Sequence, residues 1–306
     1  MSLFVCVLFI PQAISIWDCG TRDINFEHLI YYGKGAKAGQ WPWHVAIYHG
    51  ERNNYEYKCG GSIIDSNTIL TSAHCICSPN GLHSTSRIRV HLGRVMLNET
   101  NNHTQEHAVS KLIPHPNFHP GIVSYDIALI KLSTRINFTA YVQPICLWGM
   151  DAGMELIVGT NGTIVGFGET ENSKLSNHLR VALVKVTDFW SCLDSYRNVF
   201  ADGMFCAKGN GEVNACRGDS GGGIVYEIAG RWFVRGIVSF IPQNSILSCD
   251  VSQYTVFTDV AIFREWIAKY VDPAIMATQE EYLIENSPNK RIFWITKPLS
   301  AAKRSS

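Results

Sequence analysis

Between positions 45 and 271 this chain of 306 residues is cut into short runs rich in β-branched and aromatic residues. Runs at 88–92, 127–132, 163–167, 180–186 and 232–240 are examples, and clusters of Gly, Asn and Pro separate them. Such spacing is that of an all-β barrel or sandwich. No helix-length apolar periodicity lies between the runs, so alternating strand–helix units are disfavoured. One short helix is expected near 187–196. A firmer one is expected over 259–271, where Val260, Phe263, Ile267 and Tyr270 fall on one face. A β domain of this length is compatible with one folding unit.

The start of the chain fixes a compartment. Residues 3–10 are apolar, and Ala13 and Ser15 then offer a small-x-small cleavage site, although no Lys or Arg precedes the run. It is too short to span a bilayer, so 1–15 reads as a secretory signal. The ten cysteines fit an oxidising environment. Four sequons, at Asn98, Asn102, Asn137 and Asn161, agree with export. The expected location is therefore secreted and extracellular. Lys plus Arg and Asp plus Glu are both 26, so charge points to neither nucleic acid nor an anionic membrane. The eleven histidines show no zinc-type spacing, and no structural metal or cofactor is expected.

The chemistry sits in Ala215-Cys216-Arg217-Gly218-Asp219-Ser220-Gly221-Gly222-Gly223. A serine beside an acid and among glycines suits an exposed nucleophile on a tight turn, whose backbone N–H groups can converge on an oxyanion. Alone it would be a Gly-rich surface turn, just as His74 could be a core histidine and Asp126 a strand-edge acid. Together, Leu70-Thr71-Ser72-Ala73-His74-Cys75, Tyr125-Asp126-Ile127-Ala128-Leu129-Ile130 and the serine motif supply His, Asp and Ser in that order.

At these residues the chain resembles the chymotrypsin/trypsin-like serine proteases, over about residues 30–271. The resemblance implies two six-stranded antiparallel β-barrels with a C-terminal helix and a catalytic cleft between the barrels. It implies acyl transfer with Ser220 as nucleophile, His74 as general base and acid, and Asp126 holding the imidazole. The N–H groups of Gly218 and Ser220 would form the oxyanion hole, and Ser239 would support Asp126 and align substrate. Counting back from Trp41-Pro42-Trp43 places the new N-terminus of an activated enzyme at Ile30. Its ammonium would pair with buried Asp219, which would otherwise be a costly lone charge. Leu29 stands before the cut where Arg or Lys is usual. The nearest upstream base, Arg22, lies eight positions before Ile30.

The same resemblance assigns the specificity pocket and the cysteines. Asn214, with Ala215 beside it, replaces the aspartate that pairs with a basic side chain, and burying a guanidinium without a carboxylate is unfavourable. Ile241 and Thr255 stand at the walls, where open-pocketed relatives have glycine. The pocket is therefore expected to take Ala, Val or Leu. Arg94 and Thr104 replace carboxylates of the calcium loop found in trypsins. The implied disulfides are Cys19–Cys146, Cys59–Cys75, Cys192–Cys206 and Cys216–Cys249. A further bridge common in the family is missing at both ends, Gly162 and Tyr226. Loss of Cys6 with the signal leaves Cys77 as an odd thiol.

Leu29 before Ile30, the phrase Trp43-His44-Val45, a cysteine-tethered light chain and Gly223 also resemble the protease domain of insect modular serine proteases. The expected organisation is a signal (1–15), a light-chain or propeptide segment (16–29), a protease domain (30–271) and a poorly ordered extension (272–306). The expected function is a secreted endopeptidase zymogen in an extracellular cascade of the innate-immune type. Its partners would be protein substrates, such as a downstream zymogen, and a protease inhibitor. The alternatives are a digestive elastase-like protease and a non-catalytic homologue that binds a partner.

Overall fold

The computed structural model describes residues 19–24, 35–52, 54–121, 123–149, 152–170, 173–196, 201–210, 213–241, 249–273, 275–276 and 279. The expectations for 1–15, Leu29, Ile30 and the chain from 280 onward lie outside the described residues.

The first barrel is built from β1 (His44–Glu51), β2 (Asn54–Ile63) and β3 (Thr68–Thr71), followed by a small hairpin of β4 (Cys77–Ser78) and β5 (Gly81–Leu82). It continues with β6 (Ile88–Leu92), β7 (Gln105–Pro114) and β8 (Ala128–Leu132). Its strands close in the order β1-β2-β3-β8-β7-β6, all antiparallel. Alternation along β6 buries Ile88, Val90 and Leu92, which pack with Val45, Ile47, Ile69 and Ile130 inside the barrel.

The second barrel follows with β9 (Cys146–Leu147), β10 (Asn161–Gly166), β11 (Arg180–Val186) and β12 (Met204–Gly209). β13 (Gly223–Ile228), β14 (Arg231–Phe240) and β15 (Thr255–Asp259) complete it. The order β13-β10-β11-β12-β15-β14 closes through β13–β14, and β9 adds to β14 in parallel. Ile164, Val184, Phe205, Ile224, Phe233 and Phe257 fill its interior. Two closed barrels leave few free sheet edges.

The helices need one correction. α1 (Phe189–Tyr196) falls within the expected stretch, but α2 (Arg264–Ala268) is shorter than 259–271. Asp259 ends β15, and its carboxylate is engaged by Arg235 and by the N–H of Ala261, so the chain turns before it can coil. The extension is also corrected at its start. Met276 and Gln279 are buried, and Gln279 Oε1 accepts the Leu147 N–H at 3.1 Å. A buried amide needs such a partner, and β9 supplies it.

Among the described residues four disulfides tie the fold: Cys19–Cys146, Cys59–Cys75, Cys192–Cys206 and Cys216–Cys249. At the missing fifth position the Tyr226 ring stands so close to Gly162 that a Cβ there would meet it at 2.9 Å. The segment 19–24 is also held without covalent bonds. Gly20 N donates to Pro144 O, Trp232 N donates to Gly20 O, and Gln143 Nε2 donates to Asp23 Oδ2. The Arg22 guanidinium lies 4.3 Å from the ring centroids of both Trp41 and Trp232, and 5.6 Å from that of Trp43. Burial lowers its pKa to about 10, with the Glu227 charge acting the other way.

Arg94 organises the loop between β6 and β7. Its Nη1 donates to the carbonyls of Met96, Leu97 and Glu99 at 3.3, 2.8 and 3.3 Å, and its Nε to His91 Nδ1 at 2.9 Å. The buried guanidinium thus gives these carbonyls the positive partner that a divalent cation would offer. Arg94→Ala is expected to cost roughly 2 kcal/mol, read as a lower thermal midpoint. A chelator is expected to leave the wild-type midpoint unchanged; a chelator-sensitive midpoint would contradict this account.

Candidate active site

His74 sits in a single 3-10 turn, Ala73–Cys75, directly after β3. The Cys59–Cys75 bridge clamps that turn to β2. Asp126 precedes β8 and is fully buried. Its carboxylate is surrounded by donors: the His74 N–H at 2.9 Å, His74 Nδ1 at 2.7 Å and Ser239 Oγ at 2.6 Å. The Thr258 hydroxyl donates to its carbonyl at 3.0 Å. His74 and Asp126 come from the first barrel, while Ser239 and Thr258 come from β14 and β15 of the second. Burial lowers the His74 pKa, but the charge and hydrogen bond of Asp126 outweigh it and hold the ring above its ordinary 6.5. The ring still keeps about a third of its surface open, at 32%.

Ser220 lies on the turn that enters β13. Its carbonyl accepts the Gly60 N–H at 2.8 Å, and the Gly221 N–H next to it donates to Val238 O at 2.8 Å. Ser220, His74, Ser239, Ile241 and Cys77 line one cavity of about 370 Å³. Gly218 has φ +96°, a left-handed conformation that side-chain-bearing residues rarely adopt. Among the described residues, neither the Gly218 N–H nor the Ser220 N–H has a protein acceptor.

Asp219 is not among the residues that line the cavity of Ser220 and His74. Its carboxylate accepts the Gly168 and Cys216 N–H groups, both at 2.8 Å. Burial raises its pKa to about 6, against the lowering effect of these two amides. Gly166 and Gly168 are needed here, because a Cβ at either would overlap the carboxylate. A cavity of about 560 Å³ opens beside it, lined also by Asn214 and Val213. Among the described residues no salt bridge to Asp219 is formed.

Asn214 Oδ1 accepts the Thr255 hydroxyl at 2.9 Å and the Ala215 N–H at 3.0 Å, and its Nδ2 donates to Gln253 O at 2.8 Å. Its amide is thus spent on neighbours and carries no charge for a basic ligand. Ile241 lies in the cavity over Ser220, while residues 242–248 are outside the described residues. Cys77 is unbonded and half-buried, and burial followed by the Asp126 charge raises its thiol pKa, which disfavours the reactive thiolate. All four sequon asparagines are exposed.

Among the described residues two clusters have metal-like composition, Cys59/His74/Cys75 and Glu169/Cys216/Cys249. In each the two sulfurs are joined as a disulfide, so neither offers the thiolates a metal would take. The sequence reading missed Tyr57, whose hydroxyl donates to Gly218 O at 2.6 Å. Its only local signal was a buried-type aromatic two positions before Cys59.

Comparisons with known proteins agree with this geometry. Residues 30–267 match the family model described as Trypsin. The chain is 31% identical over 271 residues to clotting factor C of Tachypleus tridentatus, covering 83% of this chain and 26% of that protein. It is 29% identical over 271 residues to serine protease gd of Drosophila melanogaster, covering 76% of this chain and 51% of that protein. It is 32% identical over 261 residues to chymotrypsin-like elastase family member 1 of Canis lupus familiaris, covering 82% and 96%. The chain thus spans about a quarter of the length of the clotting factors that it matches.

Proposed function

The chain belongs to the trypsin family of serine proteases, and from that premise we propose that it is a secreted endopeptidase zymogen. The observation that carries the reading is the 2.7 Å contact of His74 Nδ1 with buried Asp126, in one cavity with Ser220. Ser220 Oγ attacks the scissile carbonyl and its proton passes to His74 Nε2. The tetrahedral oxyanion is held by the Gly218 and Ser220 N–H groups. Collapse returns the proton to the leaving amine, leaving an acyl-enzyme that water hydrolyses by the same relay.

Activation follows from Asp219. Cleavage after Leu29 would free the Ile30 ammonium to neutralise a partly buried carboxylate that accepts two backbone amides. Four disulfides and four exposed sequons support an extracellular setting. Likeness to a clotting factor favours a cascade role with a protein as substrate, and a protease inhibitor would be a further partner. A digestive role is the second reading, favoured by coverage of 96% of the dog elastase-like protein. A non-catalytic homologue finds no support in a triad whose three residues are all present.

An uncharged floor at Asn214, with Ile241 and Thr255 as walls, would favour Ala, Val or Leu before the scissile bond. The test is a peptide-library digest with protein cleaved to expose Ile30, against a Ser220→Ala control. Cuts after small or medium aliphatic residues, absent from the control, are expected. Strong cutting after Arg or Lys would overturn the pocket assignment. No cutting at all, with Ile30 verified as the new terminus, would overturn the enzyme.

A further inference from the structure

We propose that Tyr57 is a positioning residue for the oxyanion hole, reaching from the first barrel to fix the peptide of Gly218. The proposal rests on the serine-protease reading given above. Tyr57 lies on β2, where Lys58 is an extra residue against β1: Ile47 pairs with Cys59, but Tyr48 pairs with Tyr57. Bulges of this kind redirect side chains beside sites. The redirected ring is buried, with its centroid 5.9 Å from that of Tyr48 and 5.5 Å from that of Phe167, both edge-on. Two aromatic neighbours leave it little rotamer freedom. Its hydroxyl donates to the Gly218 carbonyl at 2.6 Å, across 161 positions of sequence.

The need for such an anchor is local. Around Gly218, the turn is pinned at Cys216 and Asp219 by their mutual bonds, at Ser220 by Gly60, and at Gly221 by Val238. Gly218 itself has φ +96° and no side chain to lodge it. The Gly218 N–H shares a peptide with the Arg217 carbonyl, which accepts the Glu169 N–H at 2.8 Å, while the Gly218 carbonyl belongs to the next peptide, and at a glycine the two peptides can turn against one another unless both are held. Tyr57 holds the carbonyl end of that residue, and a preorganised donor spares the cost of reorganisation at the moment of reaction. Burial, then the Asp219 charge, raise the phenol pKa well above its ordinary value, so the hydroxyl remains a donor.

The test is Tyr57→Phe, which keeps the ring against Tyr48 and Phe167 and removes the hydroxyl. Enzyme cleaved to expose Ile30 is titrated for active sites, so that any unfolded fraction drops out of kcat. We expect kcat per titrated site to fall about tenfold, with KM changed by less than about twofold. A peptide boronic acid, whose tetrahedral adduct fills the hole, should bind about tenfold more weakly, while a non-covalent peptide product binds unchanged. Unchanged kcat and boronate affinity would overturn the proposal. So would parallel losses in kcat, KM and product affinity, which would mark a general packing role. If cleaved wild type neither turns over peptide nor takes a fluorophosphonate label, the protease reading fails first and this proposal falls with it.

Discussion

Asp126→Asn is expected to lower kcat about 10⁴-fold while leaving the fold intact, a loss typical of this triad chemistry. The carboxylate accepts three hydrogen bonds from His74 and Ser239. An amide at this place presents N–H to His74 Nδ1 and drives the ring proton to Nε2, where it can no longer receive the serine's. The pH profile should report the same change. His74 must be neutral to act as base, and Asp126 holds its pKa above 6.5, so the wild-type acid limb of kcat/KM lies above that value. In Asp126→Asn the raising influence is gone and burial remains, so the residual activity should titrate below 6.5. The charged pair also stabilises the fold fully below the unfolded pKa of the ring and loses this effect as pH rises through the folded one. Stopped-assay rates across pH check the first point. An unshifted limb would show that Asp126 does not set the charge of His74.

A second large effect is expected in stability. Arg235 and Asp259 form an ion pair at 2.8 Å with side chains 0% and 1% exposed, inside the second barrel. Arg235 also donates to Ala152 O at 2.8 Å and lies 4.9 Å from the Trp148 ring centroid. Burial raises the Asp259 pKa, with Arg235 pulling it back. Removing one partner strands the other charge in the core. Arg235→Leu should therefore destabilise by roughly 3–5 kcal/mol in urea denaturation. The double replacement Arg235→Met with Asp259→Leu should recover much of the loss, because two apolar groups need no partner. If the double variant is no better than the single, the cost comes from lost packing and not from an unpaired charge.

The strands were legible because their signal is local. Runs 88–92 and 180–186 coincide with β6 and β11, and the others differ by one to two residues at their ends. The meeting of His74, Asp126 and Ser220 was legible because three short phrases carry these residues. The cysteine pairs were read through resemblance, since spacing alone leaves many connectivities open. What escaped notice joins distant positions. Tyr57 meets Gly218 across 161 residues and Gln279 meets Leu147 across 132. Arg22, a basic residue in a segment with no motif, gave no sign of its three tryptophans. The shortened α2 was hidden because Val260 and Phe263, which lie in the turn before it, are buried as residues of a helix face would be.

The Cys19–Cys146 bridge spans 127 positions and brackets the stretch in which Leu29 and Ile30 lie. A cut there severs the polypeptide without dividing the molecule. Whatever is joined upstream of Cys19 therefore travels with the catalytic barrels after the cut. If the proposed activation holds, switching on and letting go become separate events: the cleaved protein would begin work at the address where its precursor was held, and only reduction or a second cut would set it loose.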